Sequence, residues 1–153
     1  MYKFYSKEKI SPSEVLLIEP PSPHRRGVIR ILGSLGTYKT SMVWPPLDLM
    51  IIDGLLTKEK IKSFIYDAQG TGGTWEDIEE IVKLTQPHLA IFTTSTTTIL
   101  HDLKTASVIK KISPSTLTAA IGTHVVALPE ETLKIAIGLD IVVLDEPEII
   151  ILE

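Results

Sequence analysis

Short apolar runs alternate with amphipathic segments along the chain from residue 15 to residue 144. Val15-Leu16-Leu17-Ile18 is uniformly apolar and stops at Glu19-Pro20-Pro21, the pattern of a strand buried on both faces that ends in a tight loop. After a Gly-rich, basic stretch, Pro46 opens a segment with helical spacing that runs to Leu56, and a proline suits the first turn of a helix. A second strand is predicted over 61–67, with Phe64, Ile65 and Tyr66 ahead of Asp67-Ala68-Gln69-Gly70. Next, Trp75, Ile78, Val82 and Thr85 fall on one face of a helix and Glu76, Asp77, Glu79 and Lys83 on the other. The acidic residues crowd its first turn, where the helix dipole favours them. The pattern then repeats, with strands at 89–93, 117–121 and 140–144 and helices at about 99–112 and 130–137.

Strands that alternate with helices must pair in parallel through right-handed crossovers, so the expected architecture is α/β, a doubly wound, mainly parallel five-stranded sheet of flavodoxin-like type. Ligands of such sheets sit outside the carboxyl ends of the strands. That points to the loops at 19–36, 67–74, 94–98, 122–128 and 145–148. Residues 1–13 read as an N-terminal arm, 14–148 as the domain and 149–153 as an apolar tail.

At 153 residues the chain has the size of one domain with one core. Its 44% hydrophobic and 22% charged residues suit a globular protein. No apolar run reaches the roughly 18 residues of a membrane span, and the N-terminus lacks a signal-peptide core, so a cytoplasmic protein without a membrane association is expected. A net charge of −4 offers no long-range attraction to nucleic acid. The absence of cysteine excludes disulfides, thiolate zinc sites, a cysteine nucleophile and a cysteine-ligated iron-sulfur cluster in this chain.

Several strand-end segments, taken in order, carry a family resemblance. They are Val15-Leu16-Leu17-Ile18-Glu19-Pro20-Pro21, Pro45-Pro46-Leu47-Asp48-Leu49, Ile65-Tyr66-Asp67-Ala68, Gly122-Thr123-His124 with Leu128-Pro129-Glu130-Glu131, and the terminal Asp145-Glu146-Pro147-Glu148. Together they resemble the cobalamin-binding N-terminal domain of B12-dependent radical SAM proteins over residues 15–148. The resemblance implies cobalamin as cofactor, held near Pro20 and Pro21, near Thr94, Ser95 and Thr96, near Gly122, Thr123 and His124, and near Glu146 and Glu148. It also implies part of a methyl-transfer enzyme whose catalytic radical SAM domain, with its cluster cysteines, lies outside this sequence, a separately encoded radical SAM partner being one of the readings left open. Three departures stand out: the glycine pair is reduced to Gly122 alone, Thr123 replaces a proline, and Asp145 replaces a glycine whose missing side chain would admit a corrin.

Other readings stay open at several positions. Ser22-Pro23-His24-Arg25-Arg26-Gly27 overlaps the signature by which other B12 proteins give a histidine to cobalt, but Ser22 stands where an aspartate would orient the ring. His24 is thus a cobalt ligand or a solvated loop residue. His124 is a corrin neighbour or a helix cap, and Glu146 and Glu148 are functional or merely solvated. The hydroxyls at 94–98 suit a phosphate or the corrin amides, or cap a helix. Arg25, Arg26 and Arg30 face an anion or, as surface arginines usually do, water. Gly70-Thr71-Gly72-Gly73 reads as a flexible rim loop. The rival functions are a ligand-free interaction or regulatory domain and an FMN-binding electron carrier. Neither a hydrolase triad nor a phosphate loop nor a dinucleotide fingerprint is present. The tail Ile149-Ile150-Ile151-Leu152 should dock, either back on its own domain or, as the favoured mode, as an added strand on another copy in a homodimer.

Overall fold

A computed structural model of the chain describes residues 10–24, 27–30 and 43–152. The strands β1 (Val15–Glu19), β2 (Ser63–Asp67), β3 (Leu89–Thr93), β4 (Leu117–Ile121) and β5 (Ile141–Val142) form one sheet in the order β2-β1-β3-β4-β5. Every pairing is parallel. Around it lie α1 (Leu47–Lys58), α2 (Ala68–Thr71), α3 (Trp75–Thr85), α4 (Ile99–Asp102), α5 (Lys104–Ile112), α6 (Thr123–Ala127), α7 (Pro129–Ile135) and α8 (Pro147–Ile150). The order reverses between β1 and β3, which is the topological switch point of a flavodoxin-like sheet.

Side chains along β1 alternate between two cores. Leu16 and Ile18 join Phe92 and Ala120 under α3 and α5, while Val15 and Leu17 join Ile91, Ala119 and Ile121 under α1 and α8. All five residues of β1 are buried, which is why its apolar run shows no strand alternation. The start of α3 is fixed by a capping box, in which the Thr74 hydroxyl accepts from the Asp77 amide and the Asp77 carboxylate accepts from the Thr74 amide at 3.0 Å. Among the described residues no helix is long and apolar enough to cross a membrane.

Four elements differ from the sequence reading. The helix expected over 99–112 comes in two pieces, α4 and α5, with Leu103 between them. The glycine-rich stretch after β2 is ordered by side chains: Asp67 accepts from the Gly70 amide at 2.6 Å, α2 forms, and Gly72 takes the left-handed cap at φ 66°. The segment expected as a strand over 140–144 pairs as a ladder only at Ile141–Val142. The apolar tail makes the helical turn α8 on its own domain, with Ile150 and Ile151 packed into the α1 core, where strand addition to another copy was favoured. Ile149 stays 64% exposed.

Candidate functional site

The carboxyl ends of β1 and β3 are tied together by one side chain. Arg30 is only 4% exposed. Its Nη1 donates to Glu19 Oε1 at 2.9 Å, to the Pro20 carbonyl at 3.1 Å and to Gln69 Oε1 at 3.2 Å. Its Nη2 donates to Asp102 Oδ1 at 2.8 Å and to the Pro21 carbonyl at 3.0 Å. The second oxygen of Glu19 takes the Thr93 hydroxyl. The second oxygen of Asp102 takes the Ser95 amide at 3.0 Å and the Thr98 hydroxyl at 2.7 Å. Gln69 grips Val28 like a strand partner, accepting from its amide at 2.6 Å and donating to its carbonyl at 3.0 Å. The loop after β1, the loop after β3 and the start of α4 are therefore one hydrogen-bonded unit. Of the two readings open for Arg30, an anion partner or water, the structure shows the first: it lies at the centre of the unit because two buried carboxylates require a cation there.

One cation between two carboxylates leaves an excess negative charge in a dry site. Burial pushes the Glu19 carboxyl up to about 7, against the opposing pull of Arg30 and of the Thr93 hydroxyl. Glu19 thus holds its proton across the neutral range better than an exposed glutamate, which relieves that excess. Burial likewise lowers the pKa of His101, whose Nε2 lies 3.0 Å from the Pro21 carbonyl and whose ring tilts against Trp75 at 5.0 Å.

Two of the concavities lined by described residues flank this unit. One, between Arg30, Glu19, Thr93 and the first residues of α1, has a volume of about 10 Å³. The other is a groove of about 420 Å³, with Pro23 and His24 on one wall and residues 96–101 on the other. Apolar Ile99 and Leu100 alternate there with the hydroxyls of Thr96 and Thr97 and with two imidazoles.

The residues singled out in the sequence separate into two groups. Pro20 and Pro21 are buried and give their carbonyls to Arg30. Thr94 is buried, its hydroxyl donated to the Ile121 carbonyl at 2.8 Å, and Ser95 is buried with its hydroxyl 2.9 Å from that of Thr97. Gly122 has φ 123°, and a Cβ there would stand 2.4 Å from the Thr94 carbonyl oxygen, so its missing side chain admits the neighbouring backbone. By contrast, Thr96 is exposed on the rim, Thr123 opens α6, and His124 is 9% exposed, its carbonyl accepting from the Leu128 amide at 2.9 Å while its ring makes no hydrogen bond to the described residues. Glu146 and Glu148, at the start of α8, have no ion-pair partner among the described residues. His24 is exposed, and Ser22 bonds to its backbone amide and carbonyl rather than to its ring. Among the described residues no group of three or more His, Asp or Glu could hold a metal ion. Arg25 and Arg26, and the arm before residue 10, lie outside the described residues.

Glu19, Gln69, Asp102 and His101 carry the geometry without having been singled out as site residues. For Asp102 a signal existed: it shares the apolar helical stripe of Ala106 and Ile109, where a charge is out of place unless paired. Arg30 had no such local signal.

The donor set fits a flat, largely apolar macrocycle with polar edges, since the groove and rim offer apolar walls, the exposed side chain of Thr96 and the nearly buried imidazole of His124. Comparison with known proteins agrees. The family model described as B12 binding domain matches residues 34–152. An uncharacterized methyltransferase of Pyrococcus horikoshii is 30% identical over 142 residues, covering 89% of this chain. The chain spans 27% of the length of that relative.

Proposed function

The chain belongs to the B12 binding domain family, and from that premise we propose that it holds cobalamin over the carboxyl ends of its strands as the cofactor module of a methyltransferase. The observation that carries the reading is the groove of about 420 Å³ beside a strand-end unit held by buried ion pairs. Concave, mostly apolar sites with a few placed polar groups are where small ligands bind. When bound, cobalamin supplies methyl-transfer chemistry at its cobalt.

The residues of this chain bind and position. Thr96 and Thr97 face the groove with hydroxyls for the amide side chains of the ring, His24 stands at the groove wall, and Ile99 and Leu100 give it apolar contact. His124 and Glu148 belong to the neighbouring strand-end loops, where they contact the cofactor from the β4 and β5 side. Arg30 and Asp102 touch no ligand; they hold the two flanking loops at a fixed separation. The catalytic domain lies outside these residues, as the methyltransferase relative of greater length supports. The ordered motifs of the strand ends favour a radical SAM domain as that partner.

Absorption spectra of the purified chain dialysed against cobalamin and, separately, against FMN test the reading. Retention of about one cobalamin per chain is expected, with FMN washing out. A chain that retains FMN, or neither molecule, sinks the proposal.

A further inference from the structure

Two long helices cover this sheet from opposite faces, and their outer sides differ. On α3, Ile78, Ile81 and Val82 are buried while Glu76, Glu79 and Lys83 occupy the other side, as a helix facing water requires. On α1, Leu49, Ile52 and Leu56 are buried, yet Leu47, Met50 and Ile51 on the far side are apolar too and 40–50% exposed. At about 100° per residue, Leu47, Ile51, Gly54 and Lys58 form a stripe directly opposite the buried one. A helix apolar all round belongs in an interior.

The apolar face extends beyond the helix. Trp44, just ahead of α1, is exposed, as are Ile149 on α8, which packs against α1, and Leu152 just after it. Together these side chains offer on the order of 500 Å² per copy, the scale at which an apolar patch is often functional.

We infer that α1 pairs with α1 of a second copy of this chain, antiparallel about a two-fold axis. The stripe is complementary to itself. A Cβ built on Gly54 meets no heavy atom beyond its own helix within 4 Å, so the glycine leaves a hole in the face. In the register that sets Ile51 over the partner's Gly54, Met50 meets the partner's Leu55, and by symmetry each contact is made twice. The same register brings the first turn of one helix, with Asp48, beside the last turn of the other, with Lys58. Opposite charges and opposite ends of the helix dipoles then meet at both ends of the contact. The area available approaches only the lower end of specific interfaces, about 1,200 Å² in total, so a reversible dimer of micromolar affinity is expected. The groove walled by Pro23, His24 and residues 96–101 shares no residue with this face, so pairing does not depend on the cofactor reading.

Sedimentation equilibrium of the wild-type chain over roughly 1–500 µM should show the mass rising from 16.9 kDa toward twice that value. Gly54→Leu fills the hole while keeping α1 intact, because the position is open in the single copy and leucine is the better helix former. Both Gly54→Leu and Ile51→Glu should weaken the dimer by at least about tenfold. Since the chain has no cysteine, oxidising a mixture of the Ile51→Cys and Gly54→Cys proteins reads the register: the mixed disulfide should form faster than either like pair. A wild type that stays monomeric to about 500 µM, the result if another segment of this chain or a different protein covers the face, overturns the inference. So does a dimer that survives both substitutions, or one whose like pairs cross-link first.

Discussion

The carboxyl ends of β1 and β3 and those of β4 and β5 lie along the same sheet edge, yet they are built on opposite terms. At the first pair, five buried β1 residues end in a carboxylate that is locked through Arg30 to the next loop, and the Pro20 and Pro21 carbonyls both accept from Arg30. At the second pair, β5 pairs over two residues, Leu144, Asp145 and Glu146 are exposed, and the His124 ring makes no hydrogen bond to the described residues. Rigidity and availability are thus divided between neighbouring loops. A ledge locked by buried ion pairs stands beside a rim whose acidic side chains are largely exposed.

The division can be broken at its strong end first. Arg30→Met should cost about 3–5 kcal/mol, because two buried carboxylates lose their cation; urea unfolding checks this, and a loss below about 1 kcal/mol would show the cluster to be solvated. The next largest effect depends on pH. The folded pKa of Glu19 is raised to about 7 from an ordinary 4.5, so its contribution to stability is whole below the lower value and is lost as pH rises through the upper one. Glu19→Gln, which cannot ionise, should therefore gain on the wild type by roughly 3 kcal/mol between pH 4.5 and pH 8. Parallel stability curves for the two proteins across that range would refute the raised pKa.

Gly122→Ala probes the seam between the two halves. The substitution meets the Thr94 carbonyl at an unfavourable φ and should cost about 1–3 kcal/mol. A neutral result would mean that the β4 end moves freely against β3. At the weak end, Ile150→Ala should lose about 1–2 kcal/mol from the α1 core and Ile149→Ala less than about 0.5 kcal/mol. Equal losses would show that α8 does not dock as a helical turn.

Sequence patterning made the scaffold legible because period and punctuation act locally. The all-apolar run at Val15, the amphipathic stripe from Trp75 to Thr85 and the turn residues between them suffice for a parallel sheet whose ligand side is the carboxyl ends of its strands. The site was legible only in outline. The loop after β3 was found through its hydroxyls, but Thr94 and Thr98 spend theirs on the Ile121 carbonyl and on Asp102. Arg30 could not be placed because its partners are far away along the chain: Glu19, Gln69 and Asp102 converge on it only when the sheet closes. A guanidinium in a polar loop gives no local sign of what will surround it. The tail was misjudged for a related reason, since Pro147 at the first turn of α8 favours a helix start over an added strand.

The central place of β1 also has a consequence for how the protein is made. Among the described strands it leaves the ribosome before the others, and both strands that cover its edges come later, with β3 complete only at Thr93. At about 5–20 residues per second, the nascent chain carries an uncovered apolar segment for on the order of ten seconds. During that interval the charges of Glu14 and Glu19 and the rigid Pro20-Pro21 pair flank it as gatekeepers against pairing with other nascent chains. The glutamate that anchors Arg30 in the finished fold therefore guards the strand before Arg30 has found it.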